Sequence, residues 1–478
     1  MIARHLLCTL LAVVAVTAAG RASAAPVAIR QMQVRTMAAP DGRRMEMTTG
    51  YVTVPEQRTN ARAKRIELAV VRLRWTGTEG STANMLLAGG PGDSGTRLVS
   101  GLGERQAASL LDLMGGDVIS FDQRGTGCSQ PSLALAEATP LPLDAPGSTA
   151  AWLPRIKRAS RDAAARFAAA GVRLASYTTV ESADDVDAVR RAFGYRQMNL
   201  WGRSYGSHLA LATVRRHPGS VARLILVSPE GPDHTLKLPS QTDAVIRRIG
   251  ERAGVPRLPD TMRTVFERLR RSPVTVTVAG PGGAQRQVTI GAFDLQWLTA
   301  QALGDPRALA TLPITYREMA AGDFNRIGPL ALAARTRWGL GSAMKSMMDL
   351  ASYGSAARRA RIRHEARNAL LGNAMNFPTM GLRAAWPDVD LGGAYRRRIR
   401  SDVPALLLVG DLDARTPIEN AREIAAGLSR SKLIIVENGA HQFDLFGDPA
   451  IQPLLRDFVR DRPIAAERVR LPAILFQR

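Results

Sequence analysis

The chain has 478 residues, 45% hydrophobic and 22% charged, so it can bury a sizeable core and is not a disordered tail. Lys and Arg total 64 against 42 Asp and Glu, a formal charge of +22, and lysine occurs only at Lys64, Lys157, Lys237, Lys345 and Lys432. The arginines are scattered, with short clusters at Arg358–Arg363 and Arg396–Arg400. No recognition motif, zinc-finger spacing or aromatic-interleaved stripe accompanies them, which argues against a nucleic-acid binder and leaves open only a weak association with an anionic envelope surface.

At the N-terminus, Arg4 and His5 precede an apolar run from Leu6 to Ala18, and Ala22-Ser23-Ala24 follows as a small-x-small cleavage site. This is the pattern of a secretory signal peptide over residues 1–24, cleaved near Ala24, and it implies a secreted or periplasmic protein. The run is shorter than the about 20 residues of a membrane span, and no later stretch reaches that length, so no transmembrane segment is expected. Cleavage would leave Cys128 as the sole thiol and no internal disulfide.

Met45–Val54 and Arg65–Trp75 then read as an antiparallel pair. Short apolar runs at Ala83–Ala88 and Asp117–Phe121 each end in a glycine-containing loop, the rhythm of a parallel sheet. Helical spacing lies within Pro140–Ala175, and Val180–Phe193 is an amphipathic helix with acidic residues in its first turns, where they suit the positive helix end. Met198–Trp201 is a strand, Ser207–His217 a helix and Val221–Val227 another buried strand. Residues 234–400 break the rhythm with mostly helical periodicity and one hairpin, Val274–Val278 with Gln287–Ile290. The alternation resumes at Val403–Val409, Glu419–Leu428, Lys432–Val436 and Asp448–Val459. The expected organisation is a core in two parts, 25–233 and 401–478, interrupted by an inserted cap over 234–400.

Gly202-x-Ser204-x-Gly206 lies between a strand and a helix, the context of a nucleophile elbow that thrusts a serine above the sheet edge. A serine hydroxyl needs a base, and the base needs an orienting acid. Both follow in late loops: Gly410-Asp411-Leu412-Asp413 and Gly439-Ala440-His441. Loops after consecutive parallel strands emerge at one edge, so Ser204, Asp413 and His441 are the candidate catalytic residues. Asp413 is preferred because Asp411, directly at the strand end, is placed to hold the turn. Of the six histidines, only His441 occupies a loop after a late strand; His5, His208, His217, His234 and His364 lie in the signal, the helix after Ser204, that helix's end, the cap entrance and an arginine-rich helix. Negative charge on an attacked carbonyl calls for backbone donors, and Gly89-Gly90-Pro91-Gly92 supplies a loop without side-chain obstruction; the donors are assigned to Gly90 and Tyr205. The glycine loop is not followed by the Gly-Lys-Ser/Thr of a phosphate cradle, and no histidine stands at metal-ligand spacing; neither metal nor cofactor is expected.

GGPGDSG (89–95), DQRGTGCS (122–129), the segment ADDVDAVRRAFGYRQMNLWGRSYGSHLAL (183–211), VPALLLVGDLDARTP (403–417) and NGAH (438–441) together resemble the proline iminopeptidase/tripeptidyl aminopeptidase family of α/β-hydrolases over about residues 80 to 460. The resemblance implies an α/β-hydrolase fold: a mostly parallel central sheet with helices on both faces and an inserted, mainly helical cap. It implies a serine exopeptidase that removes N-terminal residues from peptides through an acyl-enzyme, with Ser204, Asp413 and His441 as triad and Gly90 and Tyr205 as oxyanion hole. An exopeptidase recognises a free α-ammonium, and Glu230 and Asp233 at the cap entrance are the candidates. Arg124 is expected to brace the loop over the site. The chain departs from many relatives in carrying Ala88 before the glycine loop and in lacking cap cysteines, with Ala351 and Ala385-Trp386 in similar surroundings. Two other readings stand beside the peptidase: a carboxylesterase or other small-molecule ester or amide hydrolase of the same fold, and a non-catalytic binding protein on a hydrolase scaffold. The oligomeric state is not legible.

Overall fold

In the computed structural model the described residues are 28–78, 82–280 and 283–477, so the expected signal peptide lies outside them. Short apolar runs become the strands of one ten-stranded sheet, in the order β1-β2-β3-β5-β4-β7-β8-β12-β13-β14. The first three are β1 (Ile29–Ala38), β2 (Arg44–Pro55) and β3 (Arg65–Trp75), which pair antiparallel with one another, and β3 pairs antiparallel with β5. From β4 (Ala83–Leu87) and β5 (Asp117–Phe121) onward every pairing in the sheet is parallel, through β7 (Met198–Arg203), β8 (Val221–Val227), β12 (Ala405–Gly410), β13 (Ser431–Glu437) and β14 (Arg468–Arg470). β6 (Ala134–Ala138) stands outside this sheet and pairs with β11 (Gly339–Ser342).

The parallel strands are apolar throughout because both faces are covered. Their side chains divide by the two-residue period: Leu200, Leu224, Leu226, Ala405 and Leu407 enter one core, and Trp201, Ile225, Val227, Leu406 and Leu408 the other. Helices α1 (Arg97–Ser100), α2 (Glu104–Met114), α3 (Thr149–Ala169), α4 (Thr179–Ala192) and α5 (Tyr205–Arg216) follow the early strands. Thr178 caps α4, its side chain accepting from the Glu181 amide, and Glu181 sits in the first turn as the charge pattern suggested.

Between β8 and β12 the chain leaves the sheet. This segment holds α6 (Pro239–Arg252), α7 (Leu258–Arg271), the hairpin of β9 (Val274–Ala279) with β10 (Gln285–Ile290), α8 (Ala292–Ala302), α9 (Pro306–Ala321), α10 (Ile327–Thr336), α11 (Ala343–Ser352), α12 (Ala356–Glu365) and α13 (Gly392–Arg396). Its own core, built on Ile246, Phe266 and Tyr316, also takes in Leu412, Ala414 and Ala440 from the loops after β12 and β13. α14 (Ile418–Ala425) and α15 (Gln452–Val459) complete the chain's helices among the described residues.

Candidate active site

β7 ends at Arg203 and α5 begins at Tyr205, leaving Ser204 alone in the turn with φ 53° and ψ −124°. A non-glycine residue holds this conformation only where its surroundings impose it. Here they do: an added Cβ at Gly202 would lie 2.4 Å from the Gly206 carbonyl oxygen, and one at Gly206 would lie 2.1 Å from that of Leu87. Both flanking positions therefore require glycine, which is the physical content of the pentapeptide. The Ser204 amide donates to the Val227 carbonyl at 2.9 Å, tying the elbow to the end of β8.

The next residue on β8's exit, Ser228, donates from its hydroxyl to the His441 carbonyl at 3.0 Å. Consecutive residues thus hold Ser204 and the loop of His441 at the same strand end. Arg203 adds a second tether, donating to the Phe443 carbonyl at 2.9 Å. The loops after β12 and β13 touch backbone to backbone: Leu412 donates to the Gly439 carbonyl at 2.9 Å, and a Cβ on Gly410 would stand 2.2 Å from that same oxygen.

Asp413 is fully buried, and His441 Nδ1 lies 2.9 Å from its Oδ2 and 3.1 Å from its Oδ1. The carboxylate also accepts from the Arg415 amide (2.8 Å), the Thr416 amide (2.9 Å) and the Thr416 hydroxyl (2.7 Å). Burial disfavours its charge, but the adjacent imidazole and the Thr416 donors outweigh burial and hold the carboxyl below the ordinary aspartate range. Asp411 instead fixes the turn, since its Oδ1 accepts from the Asn438 amide at 2.8 Å and its Oδ2 pairs with Arg252 at 2.7 Å. The other histidines in the described chain with side-chain partners are engaged elsewhere: His208 meets Glu230 and Tyr395, His217 meets Asp184, and His234 meets Glu423.

The Gly89–Gly92 loop passes over the serine, where a Cβ added to Gly89 would be 3.6 Å from Ser204 Cβ. Gly90 has φ +105°, a conformation that favours glycine. Among the described residues neither the Gly90 amide nor the Tyr205 amide donates to a backbone carbonyl or a side chain. The Tyr205 amide is one of the orphan donors at a helix start. Both amides are thus unengaged on segments next to Ser204, Tyr205 following it in the chain and Gly90 following the glycine packed against it.

Glu230 and Asp233 lie at the insert's entrance, yet neither offers an unpaired carboxylate. Glu230 is buried, with Lys237 Nζ at 2.6 Å from Oε2 and His208 Nδ1 at 3.3 Å from Oε1. Burial opposes its charge, and Lys237 and His208 more than offset that, so the carboxyl is held well below its ordinary range. Asp233 receives the Ser355 amide at 2.5 Å and the Ser355 hydroxyl at 2.8 Å, and so anchors the start of α12. Arg124, buried completely, chelates both oxygens of Asp185 at 2.8 Å and donates to the carbonyls of Glu56 and Ser176 at 2.8 and 2.7 Å. Sequence reasoning passed over Thr416 and Ser228; the only trace of Thr416 was its place three residues after an aspartate, where a hydroxyl returns to the carboxylate in a local turn.

The profile of the alpha/beta hydrolase fold matches residues 85–448. The chain belongs to the α/β-hydrolase fold family. Within this hydrolase, one stretch of 189 residues is 33% identical to the tripeptidyl aminopeptidases of Streptomyces lividans and Streptomyces coelicolor, covering 38% of this chain and 35% of each relative. The match thus spans about a third of the length of those curated relatives. Among solved structures, a thermophilic esterase from Thermogutta terrifontis aligns at 18% identity over 86% of this chain and 98% of its own, with a TM-score of 0.37. A proline iminopeptidase-related protein from Thermus thermophilus aligns at 19% identity over 86% of this chain and 97% of its own, with a TM-score of 0.36. No helix among the described residues is long and apolar enough to cross a membrane.

Proposed function

We propose that this α/β-hydrolase is a serine aminopeptidase that cleaves N-terminal residues from peptides through an acyl-enzyme. The observation that carries the serine mechanism is the buried Asp413–His441 pair, 2.9 Å apart, tethered through Ser228 to the strand end that also holds Ser204. With Nδ1 turned to Asp413, the imidazole presents Nε2 as the base that takes the Ser204 proton. The serine oxygen attacks the substrate carbonyl, and the developing oxyanion is met by the Gly90 and Tyr205 amides. His441 then returns the proton to the leaving amine, and water, activated by the same imidazole, releases the acyl group.

The aminopeptidase assignment draws on the partial similarity to the tripeptidyl aminopeptidases and on Glu230. Ser207 joins Glu230 to the elbow, since the Glu230 amide donates to Ser207 Oγ at 2.8 Å and that hydroxyl donates to the Ser204 carbonyl at 2.5 Å. Lys237 already fills the part of a cationic partner, so recognition of a substrate α-ammonium by Glu230 is an exchange of one ammonium for another. Asp233, bound on both oxygens by Ser355, takes the weaker claim to that role. The pairing of both acids favours a second reading, an ester or amide hydrolase without amine recognition. Export follows from the N-terminal apolar run and the Ala22-Ser23-Ala24 site, with cleavage near Ala24.

A fluorophosphonate probe should label the wild-type chain and not Ser204→Ala; an unlabelled wild type removes the serine mechanism. Aminoacyl-naphthylamides with free and acetylated N-termini separate the two readings. The aminopeptidase loses activity on acetylation, and Glu230→Gln raises KM for the free amine while sparing nitrophenyl esters. Equal cleavage of blocked and free substrates selects the esterase reading.

A further inference from the structure

The C-terminal end of α5, opposite the elbow, opens into a cleft of about 650 Å³ lined by Arg215, Arg216, Arg397, Arg398, Arg400 and Tyr395. Two segments 180 positions apart meet there. Arg215 draws them together, donating to the Tyr395 carbonyl and, at 2.5 Å, to the Arg397 carbonyl. Only Arg216 has a carboxylate partner, Asp184 at 2.6 Å; among the described residues no ion pair reaches Arg215, Arg397, Arg398 or Arg400. Glu423, which feels the Arg398 charge, is itself paired with His234 at 3.1 Å.

The negative end of α5 accounts for two arginines at its last turn. It does not account for three more arriving from the chain beyond α13. Like charges on a concave wall repel one another and focus a positive potential into the space they share, which an anion relieves. The guanidinium fork matches phosphate oxygens in pairs, and Arg397, Arg398 and Arg400 are exposed with their forks free of carboxylates. A volume of this size admits a multiply charged small molecule rather than a single ion.

We propose that this cleft binds an anion carrying two or more phosphoryl groups, at a site separate from the serine centre. The twelve residues of α5 put about 18 Å between them. A soluble polyphosphorylated molecule and a phospholipid headgroup share this chemistry. Inorganic tripolyphosphate, titrated calorimetrically into the full chain, and co-sedimentation with vesicles of the two-phosphate lipid cardiolipin against phosphatidylcholine vesicles distinguish the sources. The test variant is Arg397→Ala/Arg398→Ala/Arg400→Ala; the charge-matched control, Arg257→Ala/Arg286→Ala/Arg307→Ala, removes three exposed arginines elsewhere. Tripolyphosphate or cardiolipin should bind wild type and control alike, with affinity reduced at least tenfold in the test variant and its melting temperature unchanged. Should that variant melt early, Arg398→Glu carries the same expectation. Binding to vesicles alone assigns the headgroup, and binding to tripolyphosphate assigns the soluble anion. Undiminished binding by the test variant, a loss matched by the control, or no binding of either probe overturns the proposal.

Discussion

Thr416 shows how much of the Asp413–His441 contact depends on a residue without charge. Its hydroxyl donates to Asp413 Oδ2 at 2.7 Å and stands 3.3 Å from His441 Nδ1, so it sets the plane in which the carboxylate meets the ring. Thr416→Val keeps the shape and removes that donor. Under the serine mechanism, kcat should fall by about tenfold, a cost near 1.4 kcal/mol and of the size of one hydrogen bond to a charged group, with KM little changed. The same loss leaves the carboxylate charge less shared, which favours the protonated partner imidazole, so the acid limb of the kcat profile should move to higher pH. A fall in KM and kcat together with an unmoved limb would assign Thr416 to packing instead. At this scale the candidate site residues were legible because each sits in a local signature: two obligatory glycines around Ser204, a strand end before Asp413, a glycine turn before His441. Glu230 and Asp233 were legible as acids near the entrance, but which residues engage them was not. Their partners, Lys237 and Ser355, are ordinary residues whose proximity only folding creates, Ser355 being 122 positions away.

Among the elements, α6 carries the clearest pH signature. Burial raises the Asp243 carboxyl to about 6, against the lowering contributed by the Leu370 amide that it accepts. A folded value above the unfolded 3.8 means that the fold favours the protonated form. That contribution is complete below about pH 4 and is lost as pH rises through about 6. Asp243→Asn, which keeps an acceptor for Leu370, should therefore raise the melting temperature at pH 7.5, by about 1–2 kcal/mol of stability, and be neutral at pH 4. Equal melting of the two proteins at pH 7.5 would show that the α6–Leu370 contact tolerates the charge. Elements were readable where one periodicity ruled them: β2, β3, β7, β8, β12 and β13 lie within a residue or two of their expected limits. β1 was missed because eight of its ten residues are exposed, leaving it no buried apolar face. β6 and β11 were missed because Gly339 and Gly341 carry no strand preference, and the pairing joins segments some 200 positions apart.

At the scale of the whole molecule, Arg124 gathers four separate stretches: the loop after β5, the end of β2 through Glu56, the turn at Ser176 and α4 through Asp185, which Arg58 also meets at 2.6 Å. Arg124→Met leaves two buried carbonyls without donors and half the charge on Asp185 uncompensated. Urea unfolding should show a loss of about 3–5 kcal/mol, as expected when one partner of a buried pair is removed. A loss under about 1 kcal/mol would mean that the network fills space without holding the stretches together. The alternation of strands and helices, and the return of the chain to the sheet after residue 400, were readable from pattern alone. The convergence of arginines beyond α13 with the end of α5 was not, since neither segment announces the other.

The sharing of one apolar cluster between the insert and Leu412, Ala414 and Ala440 has an evolutionary corollary. These three residues flank Asp413 and His441, so any drift in the core of the insert is transmitted to that pair. The insert is therefore not a module that can be exchanged like a tool head. A graft of a foreign insert inherits a misfit under its own foundation unless positions 412, 414 and 440 are redesigned with it.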